Sequence, residues 1–587
     1  MSNGGVRSRG DGRRLLRMQR RDFLNYCRSA GLATTLFPGV LWAQIQPGTK
    51  KITVDMVRES ARLAGLDWTD QDCQDVTDSL SSLARGAEGI NKSTLTNASP
   101  LPIHFNPNPA GVAPPKAPAP VFRIEAAPQV KRPANLEEAA FWPVTHLAAL
   151  LRTKQVTSQE LTTMYLARLK RHNGVLNCVA ALTEERAMAE AAEADRQLRA
   201  ARDLGPLHGI PYGVKDIIAA KGAPTAWGAA PLKTQTFDED ATVVARLRAA
   251  GAVLVAKLTT GEFAFGDQWS GGRTNNPWNP AEGSSGSSAG PGAATAAGLV
   301  GFSIGSDTGG SILSPSVRCG LVGLRPTFGR VSRHGVMAAG TTLDKIGPMC
   351  RHAQDCAIVL RATAGPDDQD LAVVRDMPVT WDPAAGRYPR RIGYVPAMMD
   401  AERDPEQRAN NQRALDMLKR LGCTTHEIAL PPGDLSYFIE YTERAAAFDS
   451  FTTSGLHKGV SQRTSRFLRA CQLVTAVDYL QANRRRAVIM QEVDRAMRDV
   501  DAVMFTTLTL NSATSLNPVM SLTGHPSIAV PNGFRANGTP TGVMFSGHLY
   551  QEGEIVALAK AWQDKSENLN RRPPGFQTPE IPRPSAK

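Results

Sequence analysis

Several kinds of segment are scarce or missing in this sequence of 587 residues. No stretch reaches the roughly 18 consecutive apolar residues of a membrane-spanning helix, which excludes an integral multi-pass protein. None of the eight cysteines lies in a C-x-x-C pair, so the sequence predicts neither a metal site nor a dense disulfide framework. If the protein is exported, one or two disulfide bonds are possible, and the sequence does not indicate which cysteines would pair.

Glycine and proline, 51 and 40 residues, are only a little above their usual frequencies, which excludes a collagen-like or linker-dominated chain. Hydrophobic residues make up 42% of the chain and charged residues 21%, so most of it can bury a core. The net charge of +12 is unevenly distributed, because eight arginines and two acidic residues at 1–43 supply half of it. The overall charge therefore does not indicate nucleic-acid binding.

The first 43 residues contain an Arg-Arg pair in the segment Gln19-Arg-Arg-Asp-Phe-Leu24, followed by a moderately apolar run at 31–42. This pattern resembles a twin-arginine signal peptide, and it predicts an exported, periplasmic protein. The alternatives are a disordered basic arm and a cytoplasmic location. The apolar run is short and contains Pro38, so we do not expect it to span a membrane.

Three further segments flank the main part of the chain. Residues 44–97 are predicted to be a small helical segment, with two short helices inside 51–86. Residues 98–134 form a proline-rich linker or a strap on a surface, because proline fixes φ and removes a hydrogen-bond donor. Residues 571–587 are rich in proline and arginine and are predicted to be a disordered tail.

Residues 135–570 alternate between helical and strand patterns. A capping box at Thr157-x-x-Glu160 predicts a helix start, and short apolar runs such as 252–256 and 300–304 predict buried strands. Alternation of this kind indicates an α/β domain, with a large mixed sheet between helical layers.

Three motifs in this domain combine chemically useful residues with glycine. His208-Gly-Ile-Pro-Tyr-Gly-Val-Lys215 places one cation in an apolar run. Gly283-Ser-Ser-Gly-Ser287-Ser288-Ala-Gly reads as a flexible linker by composition, but it opens directly into a helix. Gly305-Ser-Asp307-Thr308-Gly309-Gly310-Ser311 follows a buried strand, and its paired glycines suit a tight turn whose backbone N–H groups could bind an anion.

Together the three motifs resemble the amidase signature family of serine hydrolases, which includes amidases and the A subunit of glutamyl-tRNA(Gln) amidotransferase. The resemblance continues through Asn276-Pro-Trp-Asn279-Pro, Gly323-Leu-Arg325-Pro326 and Leu343-Asp344-Lys-Ile-Gly347-Pro348. It spans about residues 137–566. It implies the amidase signature fold and hydrolysis of a carboxylic amide C–N bond through an acyl-serine intermediate.

The resemblance also assigns roles to residues. Lys215 would be the base, Ser287 the bridging serine on a cis peptide bond, and Ser311 the nucleophile. Ser288 and Ser284 are weaker candidates for the bridge, because this serine-rich loop departs from the usual pattern. The backbone N–H groups of Thr308, Gly309, Gly310 and Ser311 would form the oxyanion hole, with Asp307 as a supporting acid.

One position departs from the family's pattern. The arginine that usually follows the nucleophile by two positions is Leu313 here. That arginine usually supports the acid of the loop, which is Asp307 here. Another residue must therefore supply a partner for the Asp307 carboxylate, and Arg318 is the candidate. This departure puts the loop geometry and the substrate preference in doubt.

The chemistry can be argued from the residues as well. An amide is a poor electrophile, so a serine that attacks it needs a base and a site for the developing negative charge. A lysine can act as that base only when it is neutral, and burial among apolar neighbours lowers its pKa. None of the ten histidines is an equally convincing base, and Cys319 is not an equally convincing nucleophile. His208 is expected to be a turn or core residue, and Cys319 a buried small residue.

These observations leave three functional hypotheses. The first is an amidase acting on a small-molecule amide, with no metal or organic cofactor and no nucleic-acid partner. The second is an A-type glutaminase subunit of a tRNA-dependent amidotransferase. The third is a catalytically silent binding protein on the same fold. A homodimer is among the assemblies left open, and the aromatic residues at 430–480 are expected to pack in a core rather than line a substrate pocket.

Overall fold

The computed structural model describes residues 52–63, 66–77, 80, 97, 103–110, 112, 116–125, 129–383, 388–433, 436–506, 516–566 and 571–577. The chain divides into two compact units. One combines Met1–Leu95 with Arg469–Thr475, and the other combines Thr96–Leu468 with Ala476–Lys587. The predicted signal peptide at 1–43 lies outside the described residues.

The first unit is helical where it is described. Helix α1 covers Val54–Leu63, and residues 70–77 form a second helical stretch. Ile52, Val57 and Cys73 are buried together in a small apolar cluster. The described residues of this part of the chain thus contain two short helices, as the apolar spacing predicted.

The second unit contains all of the described strands. In chain order they are β1 Val179–Leu182, β2 Pro211–Lys215, β3 Val253–Leu258, β4 Gln268–Trp269, β5 Gly272–Arg273, β6 Asn275–Asn276, β7 Asn279–Gly283, β8 Phe302–Asp307, β9 Val322–Arg325, β10 Lys345–Cys350, β11 Arg391–Tyr394, β12 Thr424–Glu427, β13 Ala502–Thr506, β14 Ser527–Phe534 and β15 Pro540–Gly547.

Helices surround these strands. After α1 they are α2 Val144–Arg152, α3 Ser158–Leu176, α4 Glu184–Arg199, α5 Thr242–Ala249, α6 Ala289–Ala296, α7 Leu313–Cys319, α8 Ala353–Thr363, α9 Pro396–Asp400, α10 Pro405–Arg420, α11 Ser436–Ala447, α12 Asp449–Thr453, α13 Gln462–Cys471, α14 Ala476–Met497, α15 Leu516–Leu522 and α16 Glu552–Lys565. None of the described helices combines the length and the apolar character that crossing a membrane requires.

Eleven strands form one sheet in the order β1-β3-β2-β8-β10-β9-β14-β15-β13-β11-β12. The sheet is mixed, since β2 runs parallel to both β3 and β8, whereas β10 is antiparallel to β8 and β9. The predicted fold class, a large mixed sheet with helices packed around it, is confirmed.

Local sequence signals explain where several elements begin and why the central strands are buried. Helix α3 starts at the predicted capping box, in which Thr157 Oγ1 accepts from the Glu160 N–H and the Glu160 carboxylate accepts from the Thr157 N–H. Strands β3 and β8 are buried along their whole length, as expected for strands covered on both faces.

The proline-rich stretch and the C-terminal tail are both part of the second unit. Phe122 in the proline-rich stretch forms an isolated bridge with Trp381. The predicted disordered tail differs from the structure at 571–577. Phe576 is buried there, and its carbonyl accepts a hydrogen bond from Arg168 at 2.8 Å, which anchors this part of the tail.

A buried ion pair joins α16 to the loop after β9. The Glu552 carboxylate pairs with Arg330 at 2.8 Å and also accepts the Thr327 N–H, and both charged side chains are buried. Removing one partner of such a pair leaves an uncompensated charge out of water, and this is far more costly than replacing both partners.

We therefore expect Glu552→Gln to lower the free energy of unfolding by about 3 kcal/mol, measured by urea denaturation. The matched control is Glu193→Gln, because Glu193 forms its ion pair with Arg196 on an exposed face of α4. The control should unfold at the parent midpoint. Equal midpoints for both variants would contradict a stabilising role of the buried pair.

Candidate active site

Lys215 lies at the carboxyl end of β2, in the interior of the large sheet. The strand is flanked by β3 on one side and β8 on the other, and every residue of it is buried. The Lys215 side chain is completely enclosed, with an exposed fraction of 0%. The sequence motif therefore places this cation in the environment that was predicted for it.

Two serine hydroxyls hold the Lys215 amine. The distance from Nζ to Ser287 Oγ is 2.7 Å, and the distance to Ser306 Oγ is 2.8 Å. Sequence reasoning missed Ser306. The signal available was its position in β8, the strand that neighbours β2, one residue before Asp307.

Ser287 belongs to a loop at 283–288, here called the serine loop, which connects β7 to α6. The peptide bond between Gly286 and Ser287 is cis, as the family resemblance implied. Gly286 packs tightly, since a Cβ there would come within 2.0 Å of the Gly266 carbonyl oxygen. Glycine is therefore required at position 286 for the loop to approach this backbone.

The other two serines considered for the bridge are engaged with the backbone. Ser288 Oγ donates to the Ser306 carbonyl at 3.1 Å and accepts from the Ser306 N–H at 3.2 Å. Ser284 Oγ donates to the Ser285 carbonyl at 3.2 Å. Of the three candidates, Ser287 is the one whose hydroxyl contacts Lys215.

Ser311 ends a turn at 308–311, here called the glycine turn, which follows β8 and precedes α7. Its side chain is partly exposed, in contrast to Lys215 and Ser287. The Ser288 N–H donates to the Ser311 carbonyl at 3.1 Å, so the serine loop is hydrogen-bonded directly to the glycine turn. The three predicted catalytic residues thus come from adjoining segments, with the predicted nucleophile at the accessible side.

Asp307 organises the start of the glycine turn. Its carboxylate accepts from the N–H groups of Gly310 at 2.7 Å and Ile312 at 2.8 Å, and it pairs with Arg325 at 3.3 Å. The prediction that Arg318 supports Asp307 is wrong. Arg318 pairs with Glu282 instead, whereas Arg325 on β9 is buried next to Asp307.

The hydrogen bond to Asp307 also corrects the predicted oxyanion hole. The Gly310 N–H is committed to this carboxylate, so it is not available as the oxyanion donor that we expected. Gly310 has a φ of +133°, a conformation that favours glycine. The N–H groups of Thr308, Gly309 and Ser311 remain a prediction as donors to the oxyanion.

The glycine turn is fixed from its other side by Thr308. Its hydroxyl donates to Asp344 at 2.6 Å, and its carbonyl accepts from the Ser521 hydroxyl. Ser521 Oγ in turn accepts from Lys345 Nζ at 2.7 Å. Burial lowers the pKa of Lys345 well below its usual value.

Burial also lowers the pKa of Lys215, to about 7. The enclosed amine loses hydration that would stabilise its charged form, and the positive charge of Arg444 acts in the same direction. The negative charges of Asp307 and Asp344 oppose the shift without cancelling it. A substantial fraction of Lys215 is therefore neutral near pH 7.

The remaining candidates have structural environments. His208 is buried, and its Nδ1 accepts from the Leu204 N–H at 3.1 Å. Cys319 is buried, its Sγ donates to the Ser284 carbonyl, and burial raises the pKa of its thiol. Both observations agree with the expected roles, a core histidine and a small buried residue.

The aromatic side chains at 430–480 fall into two groups. Phe448 and Phe451 are buried and pack edge-on against Phe263, with ring centroids 4.9 and 4.8 Å apart. Phe438 is exposed instead. The described residues contain no group of three or more His, Cys, Asp or Glu side chains arranged to hold a metal ion.

Comparison with known sequences gives a consistent result. The sequence model of the amidase family matches residues 160–556. The A subunit of the Methylococcus capsulatus glutamyl-tRNA(Gln) amidotransferase is 35% identical over 481 residues, which cover 74% of this chain and 99% of the relative. AmiD of Mycobacterium bovis, named as an amidase, is 35% identical over 470 residues, which cover 75% of this chain and 98% of the relative.

Comparison with solved structures points the same way. The peptide amidase of Stenotrophomonas maltophilia superposes with a TM-score of 0.68 and 29% sequence identity. The match covers 75% of this chain and all of that enzyme. An amide hydrolase therefore has the same fold as the second unit of this protein.

The lowered pKa of Lys215 predicts a pH-dependent stability. Between pH 7 and about 10.4, the unfolded lysine is protonated while the native amine is not, so its contribution to the free energy of unfolding rises with pH. We expect the parent to gain about 1.4 kcal/mol per pH unit relative to Lys215→Met between pH 8 and 10, measured by urea denaturation.

Lys419→Met is the matched control for that measurement, because Lys419 is an exposed lysine on α10. Its difference from the parent should stay constant over the same pH range. If the Lys215→Met difference is equally constant, the pKa of the buried amine is not lowered.

Proposed function

The chain belongs to the amidase family and is an amide hydrolase, and from that premise we propose a catalytic triad. Ser311 is the nucleophile, Lys215 the base, and Ser287 the hydroxyl that passes a proton between them. The substrate is a small carboxylic amide. The observation that carries the proposal is the 2.7 Å contact between the enclosed Lys215 amine and Ser287 Oγ.

Acylation proceeds in two proton-coupled steps. The Ser311 oxygen attacks the amide carbonyl carbon while its proton moves to Ser287, whose own proton moves to the neutral Lys215 amine. The tetrahedral intermediate then breaks its C–N bond. Lys215 returns the proton through Ser287 to the leaving nitrogen, so the amine departs neutral and the acyl group stays on Ser311.

Deacylation uses the same residues. Water loses a proton to the Ser287–Lys215 pair as its oxygen attacks the acyl carbon, and Ser311 regains a proton as the carboxylic acid leaves. Backbone N–H groups of Thr308, Gly309 and Ser311 stabilise the negative oxygen in both intermediates. Each donor contributes roughly 3 kcal/mol to such a transition state. Asp307 acts as a positioning residue, since it fixes the turn that carries these groups.

The alternative function is that of an A-type glutaminase subunit, which would release ammonia from glutamine for a partner. The similarity to the Methylococcus capsulatus protein favours it, whereas the equal identity to AmiD favours a separate amidase. The two functions share the triad. Hydrolysis restricted to glutamine, together with co-purification of a tRNA-binding partner protein, would select the glutaminase role.

We expect Ser311→Ala to abolish covalent labelling by a fluorophosphonate probe, at least 100-fold below the parent, because the probe reacts only with an activated serine. Ser314→Ala is the matched control, since Ser314 lies one turn further along and is also partly exposed. Mass spectrometry of the labelled peptide checks the site. Equal labelling of Ser311→Ala and the parent would disprove the assignment of the nucleophile, and a parent that never labels would favour a silent binding protein.

We propose that the protein is exported through the twin-arginine pathway, on the support of the arginine pair at 20–21 and the apolar run that follows it. A fusion of residues 1–43 to a fluorescent protein that folds before export should accumulate in the periplasm. Arg20→Lys combined with Arg21→Lys should retain the fusion in the cytoplasm, as judged by cell fractionation. The matched control is Arg13→Lys with Arg14→Lys. Periplasmic fluorescence from the Arg20/Arg21 variant would contradict this route.

A further inference from the structure

A cavity lies in the second unit, lined by residues that do not belong to the site around Lys215. Its volume is about 630 Å³, which falls in the range of small-molecule sites. Its lining comes from segments far apart in the sequence, including the start of α2, the start of α8, the end of α16 and residues 571–573.

Aromatic side chains form much of the cavity wall. Trp278 and Trp562 line it together with Trp142, and the indole N–H groups of the first two are already satisfied by backbone carbonyls. Trp278 Nε1 donates to the Cys319 carbonyl at 2.8 Å, and Trp562 Nε1 donates to the Pro531 carbonyl at 3.0 Å. These two indoles are therefore held in place as buried parts of the wall, whereas Trp142 is partly exposed.

Two arginines of the C-terminal segment stand at the same cavity. The guanidinium of Arg571 lies 3.6 Å from the centre of the Phe534 ring, and that of Arg572 lies 4.8 Å from the Phe141 ring. Among the described residues neither arginine forms an ion pair with a carboxylate, although the charge of Glu138 acts on Arg572. Stacking fixes the plane of each guanidinium and leaves its edge of N–H donors for an anion, a geometry that suits a carboxylate.

Two other cations at the cavity already have partners. Lys560 pairs with Glu125 at 3.0 Å and with Asp564 at 2.7 Å. Arg351 donates to backbone carbonyls, including those of Thr295 and Val300. Arg571 and Arg572 are thus the cations that we consider for binding an anion.

We propose that this cavity binds a small aromatic carboxylate. Its ring packs against the aromatic wall that includes Trp142, and its carboxylate binds Arg571 and Arg572. The site is separate from the proposed triad, so the protein would carry a ligand-binding site in addition to its hydrolase site.

The test uses the full chain and the probe 4-hydroxy-3-nitrophenylacetate, whose nitrophenol ring quenches nearby tryptophan fluorescence. Since three of the eight tryptophans line the cavity, we expect saturable quenching. The uncharged analogue 4-hydroxy-3-nitrobenzyl alcohol should bind at least tenfold more weakly.

Arg571→Gln combined with Arg572→Gln should weaken binding of the probe at least tenfold. Arg199→Gln with Arg202→Gln is the matched control, because both arginines are exposed elsewhere in the same unit, and it should bind like the parent. A thermal melt of each variant verifies that it is folded. Absence of saturable quenching, or unchanged affinity in the folded Arg571/Arg572 variant, would overturn the proposal.

Discussion

The site around Lys215 depends on keeping one amine enclosed without giving it a carboxylate partner. Its two hydrogen-bond partners are the hydroxyls of Ser287 and Ser306, which stabilise a neutral amine as well as a charged one. Two carboxylates near Lys215 in the sequence or the fold are paired with other cations. Asp216 pairs with Lys257 at 3.1 Å, and Asp307 pairs with Arg325. If either carboxylate were turned to Lys215 instead, the ammonium form would be stabilised and a base at neutral pH would be lost.

The topology of the sheet places these groups together. Strands β2 and β8 are parallel neighbours, so their carboxyl ends meet at one edge, and both Lys215 and Asp307 lie at those ends. Ligand sites of α/β proteins form at this edge. Strand β10 pairs with β8 on its other side. Asp344, just before β10, accepts the Thr308 hydroxyl directly, and Lys345, the first residue of β10, holds Thr308 through Ser521. The partly exposed Ser311 therefore lies on a turn that several hydrogen bonds hold in place.

Much of the fold and of the candidate site could be predicted from the sequence, and each wrong prediction has a physical cause. Apolar runs and a capping box located β3, β8 and α3, and the glycine motifs located Lys215, Ser287 and Ser311. Arg325 was overlooked as the partner of Asp307 because strand pairing between β9, β10 and β8 brings it there, which no local pattern records. The hydrogen bond from Gly310 to Asp307 was equally invisible, since a motif does not show which way each N–H points. Phe576 was assigned to a disordered tail because composition cannot reveal a single buried anchor.

The enclosure of Lys215 has a chemical consequence beyond acid–base behaviour. Water-exposed lysines are almost all protonated at neutral pH and lack a free lone pair. An amine with a pKa of about 7 retains that lone pair in a large share of molecules. Such an amine can react with small uncharged electrophiles such as cyanic acid at a pH where exposed lysines are almost all protonated. The complete enclosure of the Lys215 side chain restricts the entry of these reagents.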